Sequence, residues 1–568
     1  MKRADVIVAA THTAPTAGMR RVASEQGYDF KKCETALNIG LFFDGTNNNM
    51  DRDAPQQGHT NIARLYNAYK LDIVTGNQPI YIPGVGTKFP EIGEDQDSRL
   101  NAGCAFGCEG RVIYGILSVF NALHQRSSGS NMFTKAAILA LCRNSLSVGN
   151  SNDLENLSAL GIQSGLLQTK IGSNNVRREF LSRQAGHLET KLKESKPKVV
   201  ECFVDVFGFS RGAAEARVFC NWLNELLVGG RLAGVPLRFR FVGIMDTVAS
   251  AGFWSSASSA LTNSTGGHGA WASAESLRLP ASVQNCVHMV AMHELRRNFP
   301  LDEIGAAGKL QPGWVQHAYP GAHSDVGGGY SPGELGIATG NDALKLSQVP
   351  LNHMLECAIA AGVPIARPKA DSNKHDTFAI HPDLAKAYTD FVKQATPAPR
   401  PIYEWLQPYL NWRWQIRDRF HLTSQVKHAS PKDREILIRF NNSLISDAAA
   451  MTRSDSMSVT KRTFAVFGDV LRTGVTKNIS ATGASNDLLT TSTLEPEARQ
   501  VLAEAQRAGP TPPSFAVLFE NFVHDSLAGF DSPSCELTGY WRYRRVFLGS
   551  DEHTLAANEN TEKAQSIA

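Results

Sequence analysis

The chain has no long apolar run. The longest clear one, Ala136–Cys142, is seven residues, against the roughly 20 a helix needs to cross a bilayer. A secretory leader pattern is missing too. Behind Lys2 and Arg3 the apolar stretch Val6–Ala10 is five residues, shorter than an h-region of about 7–15. If the protein leaves its cell, a route that needs no such leader is expected. There is little excess of one charge: 57 Lys and Arg against 54 Asp and Glu leave +3 over 568 residues. That excludes a generally basic, nucleic-acid-binding chain, and no nucleic-acid partner is expected. The nine cysteines are odd in number and scattered, which argues against a disulfide framework and for folding in a reducing cytoplasm. The one close pair, Cys104 and Cys108, flanks Ala-Phe-Gly and lacks zinc spacing. No metal and no cofactor are expected.

What is present is ordinary globular composition, 42% apolar and 20% charged, in a chain long enough for a large core and two to four domains at about 150 residues each. Apolar runs at Ala36–Phe43, Gln78–Pro83, Val199–Phe207, Leu237–Met245, Val287–Met292 and Trp314–Tyr319 read as strands. Helical spacing separates several of them, at His59–Tyr69, 110–125 and 218–227. Alternating strands and helices predict an α/β fold with a mostly parallel central sheet covered on both faces. Residues 1–34 read as an N-terminal arm, and 126–197 as a helical insertion. The Ser-, Ala- and Gly-rich stretch 250–282, carrying Phe253, Trp254, Leu261 and Trp271, reads as a mobile lid loop. The α/β unit spans 35–369. Beyond it, 370–568 reads as a second, mainly helical region. Its Trp405, Trp412 and Trp414, with Arg413, Arg417 and Arg419 nearby, carry two readings: packing in the core, the favoured one, and membrane anchoring of the region.

Gly208-Phe209-Ser210-Arg211-Gly212 and Gly329-Tyr330-Ser331-Pro332-Gly333 both match G-x-S-x-G. Context separates them. Ser210 lies between an apolar strand and an amphipathic helix, as a nucleophile elbow requires, and Arg211 has a backbone N–H to offer an oxyanion. Ser331 follows three glycines rather than a strand, and Pro332 has no N–H. A serine nucleophile needs a base held by an acid, in this fold in the order Ser, acid, His. His323, in a glycine-rich loop after the last strong strand, is the expected base, with His293 as its rival and His317 expected to pack inside a strand. Asp246, at the end of the Leu237–Met245 strand, is the expected acid. Glu294 and Asp325 are the alternatives. Gly45 and Thr46, following Phe42-Phe43-Asp44, are expected to supply the second oxyanion donor. Asp44 itself is left between an Asx-turn, a partner for Arg211 and a cation ligand.

Taken together and in this order, Phe43-Asp44-Gly45-Thr46-Asn47, Gly84-Val85-Gly86-Thr87, Gly208-Phe209-Ser210-Arg211-Gly212-Ala213, Asp246-Thr247-Val248 and His323-Ser324-Asp325-Val326-Gly327-Gly328-Gly329-Tyr330 resemble the α/β-hydrolase domain of bacterial type VI secretion lipase effectors of the first family. The resemblance covers about residues 35–365. More loosely, 370–568, including Gly539-Tyr540-Trp541-Arg542-Tyr543-Arg544-Arg545, is similar to that family's C-terminal region. The resemblance implies an antibacterial phospholipase A, sn-1 or sn-2 undecided, with Ser210, Asp246 and His323 as its triad. It also implies manufacture in the cytoplasm, delivery by a secretion spike protein, action on membrane phospholipid from the periplasm, and a cognate immunity protein. A carboxylesterase or peptidase with the same triad and a non-enzymatic membrane-binding toxin are the alternatives.

Overall fold

The structure is a computed structural model. It describes residues 7–8, 19–22, 34–72, 75–97, 107–143, 151–162, 174–194, 197–249, 274–296, 299–305, 310–369, 376–395, 402–452, 495–529, 540–541, 543–544 and 546–547. The strands are β1 (Ile7–Val8), β2 (Glu34–Phe43), β3 (Asn77–Ile82), β4 (Lys198–Phe209), β5 (Arg231–Leu232), β6 (Val235–Met245), β7 (Cys286–Ala291), β8 (Leu301–Asp302), β9 (Trp314–Tyr319) and β10 (Val546–Phe547). The main sheet runs in the order β1-β9-β7-β6-β4-β2-β3, with β5 an antiparallel appendage on β6. All other pairs in that sheet are parallel. Each apolar run read as a strand is a strand. The N-terminal arm differs from its reading: it contributes β1, whose Ile7 and Val8 pair with His317 and Ala318.

Side chains alternate across a strand, and here both faces are apolar because both are covered. Leu37, Ile39, Leu41 and Phe43 of β2, with Cys202, Val204 and Val206 of β4, enter one core, shared with helices Cys108–Ser128 and Arg211–Asn224. Phe42 of β2 and Phe207 and Phe209 of β4 face the other way. They meet the helices Asn61–Ala68 and Gln348–Ala361. The described residues of 126–197 include the helices Lys135–Cys142, Ser151–Ala159 and Asn174–Glu194. They pack on the first core through Phe180 and Leu188, and the Arg177 guanidinium lies over the Trp222 ring at 3.5 Å.

The described residues of 370–568 are mainly helical and share a core with the sheet. The helices Pro382–Gln394, Leu406–Ile416, Pro431–Thr452, Glu495–Arg507 and Pro513–Phe522 complete the second core and share it with Phe42, Phe207 and Met289. The tryptophans of this region pack in that core. Trp405 and Trp412 are 2% and 3% exposed, and half-buried Trp414 packs edge-on against Trp541. Trp412 packs against Tyr409 and Phe519 within the helical part of that core, where a large aromatic buries much apolar area. Among the described residues no helix is long and apolar enough to cross a membrane. The lid expectation falls on residues 250–273, including Trp254 and Trp271, which lie outside the described residues.

Candidate active site

β4 ends at Phe209 and helix Arg211–Asn224 begins two residues later, with only Ser210 between. Ser210 makes the turn with φ 58° and ψ −125°, a left-handed conformation that is costly for a residue with a Cβ. Two glycines make the turn sterically possible. A Cβ on Gly208 would lie 2.5 Å from the Gly212 carbonyl oxygen, and one on Gly212 would lie 2.3 Å from the carbonyl oxygens of both Phe43 and Asp44. The helix therefore packs directly on the end of β2. The Ser210 N–H donates to the Met245 carbonyl at 3.0 Å, and its carbonyl accepts from the Val248 N–H at 3.2 Å. These bonds tie the serine to the end of β6, where Asp246 also has positive φ, 43°.

Asp246 is fully buried and saturated with donors. Its Oδ1 accepts from the Ala291 N–H at 2.8 Å and Arg544 Nη1 at 2.8 Å. Its Oδ2 accepts from His323 Nδ1 at 2.5 Å and Arg544 Nη2 at 2.7 Å. Burial alone would raise its pKa, but the Arg544 charge, the His323 bond and the Arg544 bonds outweigh it and hold the carboxyl well below its ordinary range. The His323 ring lies 4.5 Å from the Phe209 ring and edge-on to Phe299 at 5.1 Å. With Nδ1 donating to the carboxylate, Nε2 is the lone-pair nitrogen, and it is buried without a hydrogen-bond partner. Burial lowers the His323 pKa, against the opposing pull of Asp246. The glycines after His323 have a steric reason: a Cβ on Gly327 would come within 2.0 Å of the Phe209 ring.

The other candidates are placed elsewhere. Glu294 binds Arg296 through Nε at 2.9 Å and Nη2 at 3.0 Å, and it accepts the His323 backbone N–H at 3.1 Å. It thus supports the His323 loop without touching the ring. Burial raises its pKa, but the Arg296 pair prevails and brings it down to about 2. Asp325 accepts from the Ala322 N–H at 2.9 Å and from His524 through N–H at 3.0 Å and Nδ1 at 2.6 Å, a loop-closing role. His293 accepts the Gly321 N–H at 2.9 Å, stacks on Tyr409, and burial pushes its pKa down to about 3. His317 is buried within β9, as expected. Ser331 lies in a turn, its N–H on Glu334 Oε2 at 2.9 Å.

At the oxyanion side, Arg211 opens the helix, and its Nε donates to Thr46 Oγ1 at 2.5 Å. The Gly45 N–H is taken by Asp44 Oδ1 at 2.7 Å, which corrects its assignment as a donor. Asp44 also accepts from Thr60 Oγ1 at 2.6 Å and Tyr81 Oη at 2.5 Å, and burial raises its pKa to about 6. It is a buried turn anchor whose oxygens accept from Gly45, Thr60 and Tyr81. Among the described residues no group of three metal-ligating side chains converges. Arg544 is the site contact that sequence reasoning missed. Its segment stood out only as a run of arginines and aromatics, and no spacing connects it to a residue 298 positions away.

The sheet and its flanking helices define the chain as an α/β protein with a mostly parallel central sheet. Residues 231–357 match the family model described as T6SS, phospholipase effector Tle1-like, catalytic domain. That segment, 127 of the 568 residues, is therefore similar to the Tle1-like catalytic domain. The match contains Asp246, Glu294 and His323. Ser210 precedes it and Arg544 follows it. Among solved structures, an uncharacterized protein from Pseudomonas aeruginosa is similar at 27% identity and TM-score 0.66, covering 90% of this chain and 79% of that one. The Tle1 effector bound to the VgrG spike of the type VI secretion system aligns at 17% identity and TM-score 0.33, covering 72% of this chain and 89% of that one. At that score the likeness supports no argument. No curated protein matches the chain.

Proposed function

We propose that this protein is an antibacterial phospholipase A effector acting on membrane glycerophospholipids, with Ser210 as nucleophile, His323 as base and Asp246 as the acid that orients it. The observation that carries the reading is the buried imidazole whose Nδ1 donates to an ionised carboxylate and whose Nε2 is left open, packed against the residue preceding a strained serine. In that arrangement Nε2 takes the Ser210 proton as the oxygen attacks a glycerol-ester carbonyl. The Arg211 and Thr46 N–H groups stabilise the oxyanion. His323 returns the proton to the departing lysophospholipid, and water attacks the acyl-enzyme through the same base. Ser210 and His323 are not hydrogen-bonded to each other in this structure. Such bonds commonly tighten only when substrate is bound.

The Tle1-like match supports phospholipid as substrate and delivery by type VI secretion; carriage on a secretion spike protein, a cognate immunity protein in the producer and action in the periplasm of the target cell belong to the same proposal. The test incubates the purified protein with phosphatidylethanolamine–phosphatidylglycerol vesicles and identifies products by mass spectrometry. Fatty acid and lysophospholipid are expected from the wild type, and the position of the retained chain reports the sn bond. A folded Ser210→Ala variant should lose several orders of magnitude in turnover. Near-normal lipolysis by that variant would overturn the reading. Toxicity is expected when the chain is exported to the periplasm with an added leader, and equal killing from the cytoplasm would count against periplasmic action.

A further inference from the structure

We infer that Arg544 is a positioning residue for the reaction, and that the C-terminal segment around it completes the active site. This inference rests on the serine-hydrolase reading above. Arg544 is buried and spans both oxygens of Asp246, Nη1 on Oδ1 at 2.8 Å and Nη2 on Oδ2 at 2.7 Å. Its Nε donates to the Phe299 carbonyl at 2.6 Å, fixing the residue whose ring flanks His323. The fork is anchored from behind, because β10 pairs with β8 and the Glu303 N–H donates to the Phe547 carbonyl. A guanidinium fork fits a carboxylate in one plane. Asp246 therefore cannot rotate, and its Oδ2 stays aimed at His323 Nδ1.

The charge has a second effect. The groups facing His323 are Asp246, Glu294 and Arg296, with Arg544 behind Asp246, while His288 lies beyond Asp246 with its pKa lowered by burial to about 3. Without Arg544 the Asp246–His323 pair would carry one uncompensated negative charge in a buried setting and would hold a proton more tightly. Arg544 thus keeps Nε2 available as a base at lower pH.

The experiment measures kcat/KM against pH on a soluble p-nitrophenyl ester for wild type, Arg544→Ala, Arg544→Gln and Arg544→Lys, with folding checked by near-UV circular dichroism. For Arg544→Ala, a loss on the order of 10²-fold at neutral pH is expected, the size a small misplacement of a catalytic group produces. The acidic limb should move to higher pH, and added methylguanidinium should restore part of the rate. Arg544→Lys should keep the limb near its wild-type position while losing rate, since it retains charge without the fork. If Arg544→Ala does not fold, Arg544→Gln carries the test, because it drops the charge and is expected to shift the limb. A folded neutral variant with an unmoved limb and no guanidinium rescue would overturn the inference, whatever its rate. Ser210→Ala in the same assay separates the two readings. If it stays active, the serine mechanism fails. If it is inactive while the neutral Arg544 variants keep wild-type rate and profile, only the role of Arg544 fails.

Discussion

Residues 34–361 and residues 376–547 meet at Asp246, and they are built by different rules. The first stretch holds all but two of the main sheet's residue pairings and presents its three candidate groups at strand ends or just beyond, Ser210 after β4, Asp246 after β6 and His323 after β9. The second contributes helices that share a core with one face of that sheet, and contacts that reach back, among them His524 to Asp325, the Leu295 N–H to the Ser526 hydroxyl, and Arg544 to Asp246 and the Phe299 carbonyl. Chemistry placed at the ends of parallel strands follows from local pattern and topology. Support supplied from a distant helical cover depends on a shared core, and nothing in its own sequence specifies where it lands.

The comparison can be broken at its strongest point first. If the strand ends carry the chemistry, Asp246→Asn should cut turnover by about 10³–10⁴-fold, as the loss of an orienting carboxylate does. Glu294→Gln should cost at most about tenfold, since Glu294 touches the His323 backbone and not its ring. Turnover on vesicles and on a soluble ester checks both. A severe Glu294→Gln beside a mild Asp246→Asn would reverse the assignment of the acid.

A second measurement asks whether the C-terminal cover is core or anchor. Trp412→Ala should destabilise the fold by about 3–5 kcal/mol, the usual cost of emptying a buried aromatic site, read from denaturant unfolding. Its affinity for vesicles should be unchanged wherever the variant remains folded. Unchanged stability with weakened vesicle binding would return this tryptophan to the membrane.

The smallest effect concerns pH. Burial lowers the His323 pKa from its ordinary value near 6.5. As pH falls, activity is lost when Nε2 takes a proton, so the acidic limb of kcat/KM should have its midpoint below about 6.5. A midpoint above that value would mean that the pull of Asp246 exceeds the burial of the ring.

The strands were legible because a sheet covered on both faces demands near-continuous apolar runs, and Leu237–Met245 or Val199–Phe207 has no other use for them. The elbow was legible because its constraint is local. Only glycine fits where Gly208 and Gly212 meet carbonyl oxygens, and an apolar strand must precede and a helix follow. That separated Ser210 from Ser331, although both match the same string. The fate of Gly45 was not legible, because which N–H remains open depends on the rotamer of Asp44, itself set by Thr60 and Tyr81.

Sequence alone therefore determined the α/β class, the strand ends and the residue types placed there, since backbone pattern and steric exclusion act over a few positions. Only the tertiary structure decided which of three carboxylates faces the His323 ring, that Trp405 and Trp412 lie inside the core, and that Arg544 closes on Asp246. Those outcomes are set by which surfaces share a core and which buried charge finds a counter-charge, and such pairings join residues hundreds of positions apart with no periodicity between them.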